Sequence, residues 1–205
     1  MLQEYYAQYD VGQTVIFGQY EQDADGSNGE EEIEWLVLAR EDDKALLISK
    51  YALDSKPFNS VNKKAVWENC TLRNWLNETF LNIAFSEEDQ KHILISTVAA
   101  DANPDFTIDP GEDTEDMVFL LSIREANAYF SSITARQCKP TAFAIEQGCD
   151  VNEENGNCSW WLRSPGDRQD YAAGVLSFGS VYNSGKYVTY SNYAVRPAMW
   201  ISIDF

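Results

Sequence analysis

A chain of 205 residues is long enough to bury one well-filled core and short for two, so a single domain spanning residues 1–205 is expected. Its composition, 44% hydrophobic, 13% aromatic and 23% charged, is that of a folded protein and excludes a disordered one. Against 15 Lys and Arg stand 33 Asp and Glu, and the net charge of −18 repels phosphate backbones and anionic lipid surfaces, which argues against nucleic acid and membrane partners.

Val11 to Tyr20 reads as a strand and Ile33 to Ala39 as a second, joined by the turn-rich tract Glu21 to Gly29; a third strand, Ala45 to Ser49, follows the polar break Glu41-Asp42-Asp43. Thr71 precedes Leu72, Trp75, Leu76 and Phe80 at helical spacing and is the expected cap of that helix. Ser86 with Asp89 and Ser122 with Glu125 each place a hydroxyl three residues before a carboxylate, which predicts two further short helices. Between them, residues 101–116 carry Asp101, Asp105, Asp109, Glu112, Asp113, Glu115 and Asp116 without a basic residue, the pattern of a solvated acidic loop. From Trp160 onward, apolar residues alternate with turn residues up to a final strand at Ala194 to Ile203, and Asn183-Ser184-Gly185 marks a tight turn. The fold class is therefore α+β, with helices in the middle and a β-rich end.

Catalytic signatures are few. The single histidine, His92, falls in Asp89-Gln90-Lys91-His92-Ile93 and reads as the surface or end of a helix. No Gly-rich phosphate loop, His-Glu-x-x-His or Cys-x-x-Cys is present. Asp23-Ala24-Asp25-Gly26-Ser27 with Glu34 has the spacing of a calcium loop, but the glycine position is Asn28 and the flanks read as strands, so no metal is expected there. Cys70, Cys138, Cys149 and Cys158 are too sparse for a disulfide framework; reduced structural thiols, or a bridge among the last three in an oxidising compartment, both fit. The longest apolar runs, such as Met117 to Leu121, stop short of a membrane span. Met1-Leu2-Gln3-Glu4-Tyr5 lacks the basic and apolar regions of a secretion leader, which makes the cytoplasm the default, with surface display open to a longer chain. No cofactor is expected.

The region after Asp170 is richer. Tyr171, Tyr182, Tyr187, Tyr190 and Tyr193 are interleaved with Ser177, Ser180, Ser184, Ser191, Asn183 and Asn192. Tyrosine supplies large amphipathic contacts at little entropic cost, while serine and asparagine adapt their hydrogen bonds, as in recognition surfaces. The plain alternative is the exposed face of a β meander. Charge favours recognition: within residues 160–205, Arg163, Arg168, Lys186 and Arg196 face Asp167, Asp170 and Asp204, so nearly all the negative charge lies earlier in the chain.

Trp160-Trp161-Leu162-Arg163-Ser164-Pro165-Gly166, Gly179-Ser180-Val181 and Ala194-Val195-Arg196-Pro197-Ala198-Met199-Trp200-Ile201 resemble the C-terminal signature of an uncharacterised domain family of gut bacteria. Phe17-Gly18-Gln19-Tyr20, Ile33-Glu34-Trp35, Leu72-Arg73-Asn74-Trp75-Leu76-Asn77 and Val118-Phe119-Leu120-Leu121-Ser122 extend the resemblance over residues 11–203. The terminal pattern is also similar to C-type-lectin-like domains of the formylglycine-generating-enzyme branch. That resemblance implies a C-type-lectin-like fold in which Trp160, Trp161, Trp200, Arg163 and Arg196 serve the core and its buried polar links. It further implies kinship with variable proteins of diversity-generating retroelements, whose C-terminal codons are rewritten at adenines into Asn, Tyr, Ser, Asp, Thr, Phe, Gly and Ala. The expected ligand-binding residues are then Tyr171, Ser177, Phe178, Tyr182, Asn183, Tyr187, Thr189, Tyr190, Ser191, Asn192 and Tyr193, on a non-enzymatic domain whose partner is a protein or a glycan, with self-association a further use of the same face. A fixed structural or adhesion domain is the main alternative. An enzyme is the lesser one, either of the formylglycine-generating type or using Asp113, Asp116 and Glu125 around a metal.

Overall fold

The structure, a computed structural model, describes residues 9–203; Met1-Leu2-Gln3-Glu4-Tyr5 and Asp204 lie outside them. The opening strands are β1 (Thr14–Tyr20), β2 (Glu31–Arg40) and β3 (Lys44–Ser49), as the alternation of apolar residues requires. Along β2, Ile33, Trp35 and Val37 turn into the core, and the Trp35 indole donates to the Phe17 carbonyl at 2.6 Å. After the short strand β4 (Asp54–Ser55), a helical stretch runs through α1 (Thr71–Trp75), a π turn (Leu76–Phe80) and α2 (Leu81–Ala84). Leu72, Leu76 and Phe80 are buried as their spacing predicts. The cap, however, is Cys70, whose sulfur accepts from the Arg73 amide at 3.4 Å, while Thr71 is the first helical residue and receives the Ser60 amide instead.

Both predicted capping boxes form. Ser86 and Asp89 open α3 (Glu87–Gln90), and Ser122 and Glu125 open α4 (Ile123–Tyr129), each exchanging side-chain bonds with the other's amide. His92 falls in the turn after α3, half-buried, and its carbonyl receives the Ser202 amide. The acidic segment is less fluid than its composition suggests. Its end forms β6 (Thr114–Asp116), paired with β5 (Ser96–Val98), and Asp116 is buried against Arg73 at 2.7 Å, the Trp67 indole at 2.8 Å and the Thr114 hydroxyl at 2.6 Å. Such a carboxylate is retained inside because every charge and donor around it is matched. After α5 (Ala142–Glu146) come β7 (Trp160–Pro165), β8 (Tyr171–Val175) and β9 (Val181–Tyr187).

The predicted final strand is two strands in two sheets. β10 (Ala194–Val195) belongs to a five-stranded sheet of order β4-β10-β7-β8-β9, and β11 (Ala198–Ser202) to a four-stranded antiparallel sheet of order β1-β2-β3-β11. Arg196-Pro197 is the crossing point, and it runs beside the other crossing, from β3 to β4: the Ser49 amide bonds Pro197 O at 2.9 Å and the Leu53 amide bonds Val195 O at 3.0 Å. Proline fits the bend because it has no amide to leave unpaired. All antiparallel pairings hold except β10 with β7, which is parallel. One continuous core joins the sheets, with Trp35, Trp160, Trp161, Phe58 and Phe80 among its fully buried side chains. The fold is thus mixed α+β, dominated by antiparallel sheets and short helices. Trp200 departs from the expectation of a core residue: it is half-buried, with the Lys44 ammonium 4.7 Å from its ring centre. No helix among the described residues is long and apolar enough to cross a membrane.

Candidate functional site

The Tyr-rich region occupies β8, the edge strand β9 and the loops around them. Strand pairing decides which side chains share a face. Gly174 lies opposite both Trp161 and Tyr182, whereas Tyr171 lies opposite Tyr187. Since neighbours along β8 point to opposite faces, Trp161 and Tyr182 share one face, and Tyr171 and Tyr187 occupy the other. The expected residues therefore lie on both faces around the sheet edge and do not form one continuous patch.

The first cluster is a tyrosine pair under a cation. The rings of Tyr171 and Tyr187 lie 4.4 Å apart between centres, and the Arg168 guanidinium stands 4.9 Å from the first and 6.0 Å from the second. Asp170 holds Arg168 in place at 3.2 Å and raises its pKa further by its charge. The Tyr171 phenol is pushed up to about 12, first by its hydrogen bond with Tyr187, and both rings stay out of the core. Tyr187 is 46% exposed.

The second cluster is built over a glycine. Gly174 leaves room for the Tyr193 ring, which would lie 2.7 Å from a Cβ at that position, and Tyr193 packs at a tilt on Trp161 at 4.7 Å and edge-on against Tyr190 at 5.4 Å. Tyr193 is only 4% exposed, and burial pushes its phenol up to about 12. It is a core residue and is corrected out of the binding set. Ser177 is corrected likewise: it is buried at the start of the β8–β9 turn, where its carbonyl accepts from Asn155. Tyr190 is half-buried on the core and donates to Asp150 at 2.7 Å, a bond that pushes its phenol up to about 12; Asn192 donates to the same carboxylate at 3.2 Å. The Lys186 ammonium sits 5.5 Å from the Tyr190 ring centre. Tyr182 is half-buried, while Thr189 and Ser191 are exposed.

Two loops frame these clusters. Asn103 is buried and donates to the carbonyls of Pro165 and Asn183, both at 2.8 Å, and Asn183 returns a bond to Asp105 at 2.6 Å. The acidic loop thereby fixes the middle of β9, and the same loop borders a groove of about 510 Å³ lined by Asp101, Ala102, Pro104, Ile123, Arg124 and Asn127. At the other end, Phe178 is 51% exposed beside Ile133, and Gly179 is obligatory there: its φ is +92° and a Cβ would fall 1.9 Å from the Ile133 carbonyl. Beneath the surface, Arg163 is buried with its guanidinium on Glu125 and on the Leu120 carbonyl, which ties β7 to α4.

The other sequence-derived candidates do not converge. Asp116 is taken up by Arg73 and Trp67, Glu125 by Arg163 and Ser122, and Asp113 by the Ala100 amide. Glu34, the twelfth position of the calcium-like tract, pairs with Lys50 at 2.6 Å; among the described residues Glu21, Asp23 and Glu31 are the acidic group with oxygens in common reach, and their oxygens already accept backbone amides of that loop. Sequence reasoning missed Arg168, Lys186, Asp105 and Asp150 as the partners that orient the tyrosines and asparagines. Arg168 and Lys186 carried a local signal, their closeness to Asp170 and Tyr171 and to Tyr190; Asp105 and Asp150 meet their partners across distant parts of the chain.

Residues 42–203 match the model of a domain of unknown function, DUF6273. No curated protein and no solved structure matches the chain.

Proposed function

The chain belongs to the DUF6273 family, and from that premise we propose that it is a non-enzymatic ligand-binding domain of C-type-lectin-like type, whose recognition surface is the edge of the five-stranded sheet. The observation that carries this reading is that Tyr171, Phe178, Tyr182 and Tyr187 project from backbone held by the core, yet are not themselves part of its packing. Side chains so placed add apolar contact area without contributing much to the fold, which is the division of labour a recognition surface needs. Arg168 and Lys186 add donors beside the rings, suited to the carboxylates and carbonyls of a protein partner or the hydroxyls of a glycan.

In this reading the domain is the variable protein of a diversity-generating retroelement. The test is to sequence the DNA flanking the gene for a near-copy of the segment encoding Trp160 to Trp200 beside a reverse-transcriptase gene. Mismatches confined to template adenines are expected at the codons of Tyr171, Phe178, Tyr182, Asn183, Tyr187, Thr189, Ser191 and Asn192, sparing those of Ser177 and Tyr193. Absence of any such copy overturns diversification.

A fixed adhesion or structural domain is the second reading, favoured by the ties of Asn183 to Asp105 and of Tyr190 and Asn192 to Asp150. Such anchoring presets one geometry, which suits one constant partner. A single partner recovered by related chains with identical Tyr and Asn positions distinguishes it from the first.

A further inference from the structure

Three of the four cysteines meet inside the protein. Cys158, just before β7, donates its amide to the Cys138 carbonyl at 2.9 Å, and its sulfur lies 3.5 Å from the same oxygen. The neighbouring thiols of Cys138 and Cys149, together with burial, hold the Cys158 thiol well above its usual pKa. All are free and buried, Cys138 at 2% exposure and Cys158 at 0%. Backbones joined by a direct amide-to-carbonyl bond stand at the separation that a disulfide spans.

A second observation singles out Cys138. Arg196 is buried at 2% exposure between the rings of Trp160 and Phe130, at 5.0 and 5.3 Å, and it donates to the carbonyls of Ser49 and Arg136. Among the described residues no carboxylate pairs with it. A buried guanidinium of this kind is best compensated by a nearby anion, and its charge acts on Cys138. Burial opposes ionisation of Cys138, but the Cys158 thiol, Arg196 and the Ala52 amide outweigh it and bring the thiol down to about 7. That downward pull, with the cationic Arg196 acting on it, makes Cys138 the nucleophile of the group.

We propose that Cys138 and Cys158 are a redox-responsive dithiol that closes into a disulfide when a small peroxide reaches it. The Cys138 thiolate attacks one peroxide oxygen, the O–O bond breaks, and the departing hydroxide takes up a proton to give water and a Cys138 sulfenic acid. The Cys158 thiol then attacks that sulfur, forming the S–S bond and releasing a second water; two thiols are oxidised and one peroxide is reduced. The bridge cross-links the ends of residues 138–158, the segment that carries Asp150 and through it the side chains of Tyr190 and Asn192. The inference stands apart from the ligand reading and does not require it.

The experiment treats the folded full chain with hydrogen peroxide near neutral pH, then denatures, alkylates and maps the peptides by mass. The expected product has lost two hydrogens, keeps Cys70 and Cys149 alkylated and joins the peptides of Cys138 and Cys158; Cys149→Ser behaves the same. In Cys158→Ser the reaction stops at a Cys138 sulfenic acid that dimedone traps. Four alkylated thiols after treatment, a bridge that maps to Cys149, or a bridge that forms only after denaturation each overturns the proposal.

Discussion

Replacing Tyr193 and Tyr187 in turn by alanine separates scaffold from the proposed recognition surface, because the two residues have the same chemistry and opposite surroundings. Tyr193 fills the space over Gly174 and packs against Trp161 and Tyr190 with 4% of its surface exposed. Its loss removes the transfer free energy of a buried aromatic ring and leaves a cavity over β7 and β8, a cost of about 3–5 kcal/mol by analogy with other buried aromatic truncations. For a domain of this size each kcal/mol lowers Tm by roughly 2–4 °C, so Tyr193→Ala should melt on the order of 10 °C lower. Tyr187 is 46% exposed and its main ring contact, Tyr171, is itself outside the core, so Tyr187→Ala should cost only about 0.5–1 kcal/mol, within a few degrees of the parent. Thermal melts followed by circular dichroism, with urea midpoints as a second measure, read both. A Tyr187→Ala loss as large as that of Tyr193→Ala refutes the assignment of Tyr171 and Tyr187 to a surface free of structural duty.

Three further outcomes are expected. Burial opposes ionisation of Asp101, but its bonds from Arg124 and Ser122 and the charge of Arg163 prevail and hold its carboxyl below 3.8. As pH falls the unfolded chain therefore takes the proton first, so this stabilisation is complete above the unfolded pKa and lost through the lower folded one; Asp101→Asn should flatten that acid limb in urea titrations at stepped pH, and an unchanged limb would count against it. Gly179→Ala places a methyl against the Ile133 carbonyl at a φ of +92°, so it should destabilise by about 1–3 kcal/mol, and a Tm equal to the parent's would show that the β8–β9 turn has another conformation. Asp150→Asn should lower the Tyr190 phenol from about 12 toward its usual 10, visible as an earlier step in ultraviolet titration, because the carboxylate that stabilises the neutral phenol is gone.

What was legible in the sequence was what nearest neighbours decide. Strand alternation in Ile33 to Ala39, the helical face of Leu72, Leu76 and Phe80, and the two serine capping boxes depend on residues within four positions of one another, and all appear in the fold. The errors arise where a distant partner wins. Thr71 was a better cap by residue type than Cys70, but Thr71 Oγ1 is engaged by the Ser60 amide. The acidic loop read as solvated because Arg73, Arg163 and Trp67, which neutralise or bond its carboxylates, lie far along the chain. Ser177 and Tyr193 shared the palette of their exposed neighbours, and composition alone carries no term for the gap left by Gly174 opposite Trp161.

The crossing at Arg196-Pro197 joins the two sheets at a place apart from the proposed recognition surface. β10 and β11 are consecutive stretches of one chain in different sheets, and both lie beside the run from β3 to β4. Arg196 donates to Ser49 O at the start of that run and sits between Trp160 and Phe130, so the two sheets are joined by backbone bonds, a buried guanidinium and aromatic contacts at one place. None of these links passes through Tyr171, Phe178, Tyr182 or Tyr187. Tyr182 and Tyr187 lie on the last strand of the sheet, Phe178 in the turn before it and Tyr171 on the neighbouring β8, so the cost of a substitution there is set mainly by local ring contacts.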